Sequence, residues 1–512
     1  MGLLSDIDTM GLSRGYQKFV LDLEPVLEDM SARGIPVSPA EHARVTAELL
    51  ATVAAADAAM QAMVPDACKQ VSPSRGYKKL PKDTTGLIQR WFTIEDEQPA
   101  SMSVGLQEER WCKLKPWKPS QPGLVRYMKH RRHPVPRAFK TDKETTAELE
   151  LRRLAKSTRD PLYLAVVEYR ELKTLLSNHV SNWKPGADGR VHPTFYYETG
   201  TGQLGARRPN SMNAPRHKAN QGDIFRSMIV PKEGHTLVEL DYKSFHVQTL
   251  AFEARDPDLL RLGKLDIHSF LTAHFLRLGD AERLIGLADG DLGRRLAAIK
   301  REHKHTRDAK VKHALLGYNN GMGYRKCYYQ YMEFFENQNE SKRVFELLDS
   351  LFPRAKRYRK EICDKAHSQG YLISRFGCIR WFWEVYKWSA GKWAYGEDHE
   401  SALSFFTQND AHCHLKEAIL RCRLNGYDTR YGLINPIHDA LMFEVPDALL
   451  AEAVPALAQE MERASDVLID PEVAPTGLSV EVGVSVGKVW NRMCEIDWRN
   501  YGSSNSLGVA AS

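Results

Sequence analysis

Two stretches constrain this chain more than any others, Val238-Glu239-Leu240-Asp241-Tyr242 and Ile437-His438-Asp439-Ala440-Leu441-Met442-Phe443-Glu444-Val445. Each sets an aspartate at the edge of an apolar run with the residue types of a β-strand. A carboxylate in such a place costs stability unless something positive neutralises it. Two of them drawn together from positions 241 and 439 would repel, and a pair of divalent cations is the common remedy. Carboxylate-held Mg²⁺ ions roughly 3.5–4 Å apart are the apparatus of nucleotidyl transfer. For either aspartate alone the competing reading is a strand-end residue capping a turn, so the rest of the chain has to decide.

Its 512 residues suffice for a large core divided into several lobes. Hydrophobic content of 43% and charged content of 27% are those of an ordinary globular protein. The net charge of +6 permits a polyanionic partner without demanding one. Eight scattered cysteines with no CxxC pair point to reduced thiols, not a disulfide framework. His412-Cys413-His414 has metal-ligand composition, but in a helical pattern residues i and i+2 point apart. The start carries no basic-then-apolar signal, and no apolar run reaches the ~18–20 residues that span a bilayer. The expected location is therefore the cytoplasm, a host cell's if a phage or plasmid encodes the chain, with no membrane contact.

Along the chain, 21–64 reads helical, with Leu23, Val26, Leu27 and Met30 on one face and an alanine-rich run after them. Residues 66–145 read as an irregular, basic stretch with interleaved aromatics, either a solvated insert or a nucleic-acid-facing surface. Helical periodicity returns at 143–180, residues 190–255 read as a sheet with hairpins, and 256–427 is again mostly helical. Tyr431–Val445 and Leu478–Val486 read as strands around a helix near 447–468, and 503–512 as a disordered tail. An α+β sheet layer interrupted by a helical lobe follows from that order.

The motifs resemble those of the family A DNA polymerases, the bacterial polymerase I type, in order and over nearly the whole chain. Asp241-Tyr242-Lys243-Ser244-Phe245-His246-Val247-Gln248 is similar to the family's first catalytic motif, and Ile437-His438-Asp439-Ala440 to its third. Tyr169-Arg170-Glu171-Leu172, Thr201-Gly202-Gln203-Leu204, Pro209-Asn210-Ser211-Met212-Asn213-Ala214-Pro215 and Asp266-Ile267-His268 match further segments. The resemblance implies a right-hand fold with an antiparallel-sheet palm and mostly helical fingers and thumb. Its expected parts are a leader (1–20), a thumb (21–190) carrying the basic insert, palm (191–255), fingers (256–427), palm again (428–502) and tail. It further implies primer-dependent DNA synthesis from dNTPs on primer-template DNA, by a monomer using two Mg²⁺ ions for which Mn²⁺ can substitute. Partners such as a helicase stay unspecified.

By the same resemblance, Asp241, Asp439 and the Tyr242 backbone carbonyl hold the metals, and Lys312 and His268 meet the triphosphate. Gln203, Asn210, Asn213, Gln408 and His438 lie against DNA, and Lys173 grips the duplex through phosphates. Only about twenty residues precede the thumb, so proofreading and 5′-nuclease activities are expected to be absent.

The departures matter as much. Lys312, Leu316 and Asn320 keep a spacing of four along one helix face, but Asp308 stands in the register of the family's triphosphate arginine. Arg307 lies one place earlier, about 100° around a helix. Either a local bulge brings Arg307 round, or Lys304 or Arg301 replaces it. Leu316 replaces an aromatic, Asn320 a tyrosine, and Ala440 a glutamate. His246 stands where the family places a glutamate that gates against the ribose 2′-hydroxyl, which leaves sugar selectivity open. Two alternatives follow: a single-subunit RNA polymerase or primer-making enzyme, and a degenerate polymerase kept as a DNA-binding scaffold.

Overall fold

The computed structural model describes residues 8–94, 106–138, 142–197, 199–215 and 220–501. The tail expected at 503–512 lies outside these residues. The chain divides into two compact units, one of residues 44–181 and one of residues 1–43 with 182–512.

Helix α1 (Pro39–Met63) leads into the smaller unit. There β1 (Val71–Tyr77), β2 (Leu87–Ile94) and β3 (Leu106–Leu114) form an antiparallel sheet in the order β1-β3-β2, followed by helices α2 (Gln121–His130), α3 (Glu148–Thr158) and α4 (Leu162–Thr174). This corrects the reading of 66–145 as irregular. Its strands are rich in Lys, Arg, Gln and Glu, which hides the alternation that marks a half-buried strand. A bulge before Tyr77 breaks the register of β1 as well. Gly76 makes that bulge possible: it sits at φ +66°, and a Cβ there would lie 2.7 Å from the Arg110 Cβ. The unit has a core of its own, in which Met60, Trp117, Leu124, Tyr127, Leu151 and Tyr163 are buried together.

The larger unit is built on a five-stranded antiparallel sheet. It begins with β4 (His235–Tyr242), followed by helices α5 (Phe245–Glu253), α6 (Ile267–Leu276), α7 (Lys312–Asn319) and α8 (His399–Leu424). The hairpin β5 (Leu433–Ile437) and β6 (Ala440–Pro446), helix α9 (Leu450–Glu462), β7 (Val482–Gly487) and β8 (Cys494–Ile496) complete it, in the strand order β5-β6-β4-β7-β8. Central β4 and its neighbour β6 are covered on both faces, which is why they read as nearly unbroken apolar runs. On α9, Ala453, Val454, Leu457, Ala458 and Met461 recur at helical spacing and are buried.

The expectation of a sheet with hairpins across 190–255 is corrected in part. Thr194–Tyr196 pairs with Gly205–Arg207 and β4 is a strand, but Asn220–Arg226 and Phe245–Glu253 are helical. The residues from Phe245 to Phe252 are buried apart from His246, so tertiary packing overrides the strand leaning of Phe245, Val247 and Thr249.

Candidate active site

Asp241 ends β4, where it pairs with Ala440 at the start of β6. The turn joining β5 to β6 consists of His438 and Asp439, because Ile437 pairs directly with Ala440. Strand pairing alone therefore brings the two aspartates side by side, and the Tyr242 amide donates to the Asp439 carbonyl (3.4 Å). The side chain of Asp241 reaches solvent. Burial, then Asp439 and Glu239, push its carboxyl up to about 8, while Lys312 opposes the shift. Two residues without glycine's freedom adopt left-handed backbone here, His438 at φ +57°, next to Asp439, and Ser244 at φ +51°, three residues after Asp241. Such strain concentrates at functional sites.

These carboxylates fit a divalent cation: the like charge that holds a proton on Asp241 would be relieved by one. Among the described residues no group of three or more His, Cys, Asp or Glu side chains gathers to hold a metal, so the two aspartates would share the task with backbone and substrate. The Tyr242 ring is buried and its hydroxyl donates to the Met461 carbonyl (2.7 Å), leaving only the backbone of that residue for a metal.

Thr306–Val311, leading into α7, forms a π-helix. Its wider turn absorbs one extra residue, so Arg307 and Lys312, five apart, face the same region. Of the alternatives open in the sequence, the bulge is the one present. Arg307 donates to both oxygens of Asp266 (2.9 and 3.0 Å) and to the Ser269 hydroxyl (3.1 Å), and also pairs with Asp308. Asp266 in turn caps α6 by accepting from the Ser269 amide. Burial alone would raise the Asp266 carboxyl, but His268, Arg307 and Ser269 outweigh it and hold it below its ordinary range. His268, next along α6, is biased toward its neutral form by burial, with Arg307 and Lys312 adding to that and Asp266 opposing it. Lys312 and Leu316 are exposed one turn apart on α7. Asn320, at the C-cap, accepts from the Gln408 amide (3.0 Å).

Gln408 has a special place on α8. From Ala402 to Cys422 every residue is buried except Gln408 and Arg421. A helix enclosed on all sides that keeps one glutamine partly open presents it to something. One turn on, His412 packs its ring against His246 (centroids 5.9 Å, 79° apart), and burial lowers the pKa of both. The Nδ1 of His246 is buried without a hydrogen-bond partner. His412 and its neighbour His414, which packs on Tyr242 and Phe245, thus serve as a lining beneath the site. Sequence reasoning tested them only as mutual metal ligands. The spacing of four from Gln408 was the signal for His412.

The remaining expected residues fall into two groups. Gln203 meets His438 (Nε2 to Nδ1, 3.1 Å), and Asn210 and Asn213 are exposed on a segment pinned by the Ser211 hydroxyl to Asn435 on β5 (2.9 Å). The Asn210 side chain also accepts from the Met212 amide. Lys173 belongs to the other unit, exposed on α4 and lying over the Tyr169 ring.

The sequence profile of DNA polymerase family A matches residues 119–283, a span holding Lys173, Gln203, Asp241, His246 and His268 but not Lys312, Gln408 or Asp439. DNA polymerase I of Streptococcus pneumoniae is 25% identical over 316 residues, covering 59% of this chain and 33% of that protein. The thermostable DNA polymerase I of Thermus filiformis is 25% identical over 365 residues, covering 70% of this chain and 39% of its own. The chain thus spans little more than a third of the length of these relatives. The polymerase domain of Pol1 from M. smegmatis, solved with DNA primer-template and dNTP, superposes with a TM-score of 0.66 at 19% identity, covering 96% of this chain and 72% of that one. The α+β palm, fingers and thumb fold is shared with that domain. Among the described residues, no helix is long and apolar enough to cross a membrane.

Proposed function

We propose that this chain, which matches DNA polymerase family A over residues 119–283 and resembles DNA polymerase I proteins at 25% identity, extends a primer 3′-hydroxyl with dNMP units on a DNA template. The observation carrying this reading is the meeting of Asp241, at the end of β4, with Asp439 in the adjoining β5–β6 turn, with Lys312 favouring the charged form of Asp241. Two Mg²⁺ ions, replaceable by Mn²⁺, held by these carboxylates and the Tyr242 backbone carbonyl, would activate the primer hydroxyl and stabilise departing pyrophosphate. Lys312 acts on the triphosphate as a compact point charge. Arg307 offers its Nη1 to the same phosphates by exchanging Asp308 for them, and stays anchored to Asp266 through Nε and Nη2. Neutral His268 donates a hydrogen bond from beside them. Leu316 gives the incoming nucleotide an apolar contact. The Asn320–Gln408 pair and the Gln203–His438 pair test the nascent base pair and the primer end through minor-groove acceptors shared by all Watson–Crick pairs. Asn210, Asn213 and Lys173 contact the DNA backbone. In this reading 191–255 and 428–502 are palm, 256–427 fingers and 21–190 thumb, working as a monomer.

Primer extension with dNTPs tests it. Asp241→Asn and Asp439→Asn should each slow incorporation by on the order of 100-fold or more, with primer-template affinity nearly unchanged. Normal extension by either variant rejects the assignment.

His246 favours a second reading, relaxed sugar selectivity, since a partly exposed imidazole stands where the resemblance places a glutamate, and an imidazole can hydrogen-bond a ribose hydroxyl. The measurement is incorporation of rNTP against dNTP. Under this reading His246→Glu restores discrimination; a wild type that already rejects rNTPs removes it.

A further inference from the structure

Seventeen Lys and Arg stand against nine Asp and Glu in residues 66–145, a net of +8 (17 − 9), whereas the whole chain carries +6. The remainder is therefore slightly acidic, at −2 (6 − 8). The chain's basic character resides in the stretch that folds as the β1-β3-β2 sheet and its surroundings.

The pairing of that sheet sorts its side chains. Tyr77 lies opposite Trp111, and Trp91 opposite Glu109, two residues before Trp111. Alternation puts all four on one face, with Trp91 diagonal to Trp111 at roughly 7–8 Å. On the other face Cys112 and Arg110 are buried. The first face is open: Trp91 is 65% exposed and Tyr77 43%. Exposed rings on a sheet face are costly unless they meet a ligand. At the end of β1, Lys78 and Lys79 follow Tyr77 directly and are exposed, as is Lys82. The nearby Asp83 is neutralised by Lys113 (2.6 Å), which leaves Glu109 as the acidic member of the face among the described residues.

We propose that this face binds single-stranded DNA, stacking bases on Tyr77, Trp111 and Trp91 while Lys78, Lys79 and Lys82 take the phosphates. A flat row of rings beside flexible cations suits unpaired bases, whose faces are bare; a duplex hides them. The inference rests on the reading of the chain as a DNA-handling protein but uses none of the residues of the catalytic site. It adds a strand-holding surface to that activity.

The test uses the full chain and a labelled 20-nucleotide oligo-dT, read by fluorescence anisotropy over a salt series. Trp91→Ala and Tyr77→Ala should each weaken binding about 10-fold at an unchanged salt slope. Replacing Lys78, Lys79 and Lys82 by Gln should flatten the slope by about 0.7 for each phosphate no longer neutralised. Bromo-dU oligonucleotides should photocrosslink to peptides containing Tyr77, Trp91 or Trp111. Single-nucleotide incorporation on a primed template with a one-base overhang should stay at wild-type rate in every variant, which separates this surface from the catalytic reading. The proposal is overturned if the ring variants bind oligo-dT like wild type. It is overturned equally if they lose heparin binding to the same extent, or if crosslinks fall only outside residues 44–181.

Discussion

Asp241 keeps a proton that an ordinary aspartate releases near pH 3.8, because burial and two acidic neighbours raise its carboxyl to about 8. The folded chain thus binds a proton that the unfolded chain has lost, so without divalent cations this residue makes stability fall as pH rises from about 4 to about 8. A cation that prefers the ionised pair must displace the proton, so its stabilising effect grows over the same window. Melting curves at pH 5 to 8.5, with and without Mg²⁺, should show an increment near zero at pH 5 that widens toward pH 8 and vanishes in Asp241→Asn. A constant increment across pH would rule this out. At this scale much is legible in the sequence itself. Asp241 and Asp439 stand at the edges of apolar runs, and those runs do pair as neighbouring strands. What stays hidden there is what presses on them. Along the chain His412 invites comparison with His414, two residues away, when its neighbour in space is His246 on a different helix.

The element that most shapes the side proposed to meet the triphosphate is the π-turn at Thr306–Val311. A straight α-helix would have turned Arg307 away from Lys312; the wide turn carries it back at the expense of regular hydrogen bonding. The sequence records this as a one-residue misfit between Arg307 and Asp308, and a misfit alone cannot distinguish a bulge from a substituted residue. Arg307 holds Asp266 in a fork that only guanidinium geometry offers. Arg307→Lys should therefore raise KM for dNTP by about 10-fold, with kcat and primer-template affinity little changed. Steady-state kinetics on a fixed primer-template would check this, and an unchanged KM would remove Arg307 from the nucleotide site. The sheet at Val71–Leu114 failed to register for the opposite reason. Its strands mix polar and apolar residues on both faces and are interrupted by Gly76, so periodicity had little to act on, whereas buried β4 and β6 announced themselves by apolar runs.

For the whole molecule, charge and packing divide along the same lines. One stretch holds more than the net positive charge and belongs to a unit with a separate hydrophobic core. Separate cores imply separate opening reactions, since cooperative unfolding follows contiguous buried contacts. Leu124 is completely buried in the smaller core. Truncating it leaves a cavity where neighbours relax only partly, and Leu124→Ala should cost about 2–5 kcal/mol. That loss belongs to residues 44–181, so hydrogen exchange followed by mass spectrometry should find protection reduced there while β4, β6 and α8 exchange as in wild type. Nucleotide affinity, which the proposed function assigns to residues of the larger unit, should hold. Reduced protection spread evenly over both units would mean that they unfold as one, and the independence argued from their cores would have to be given up.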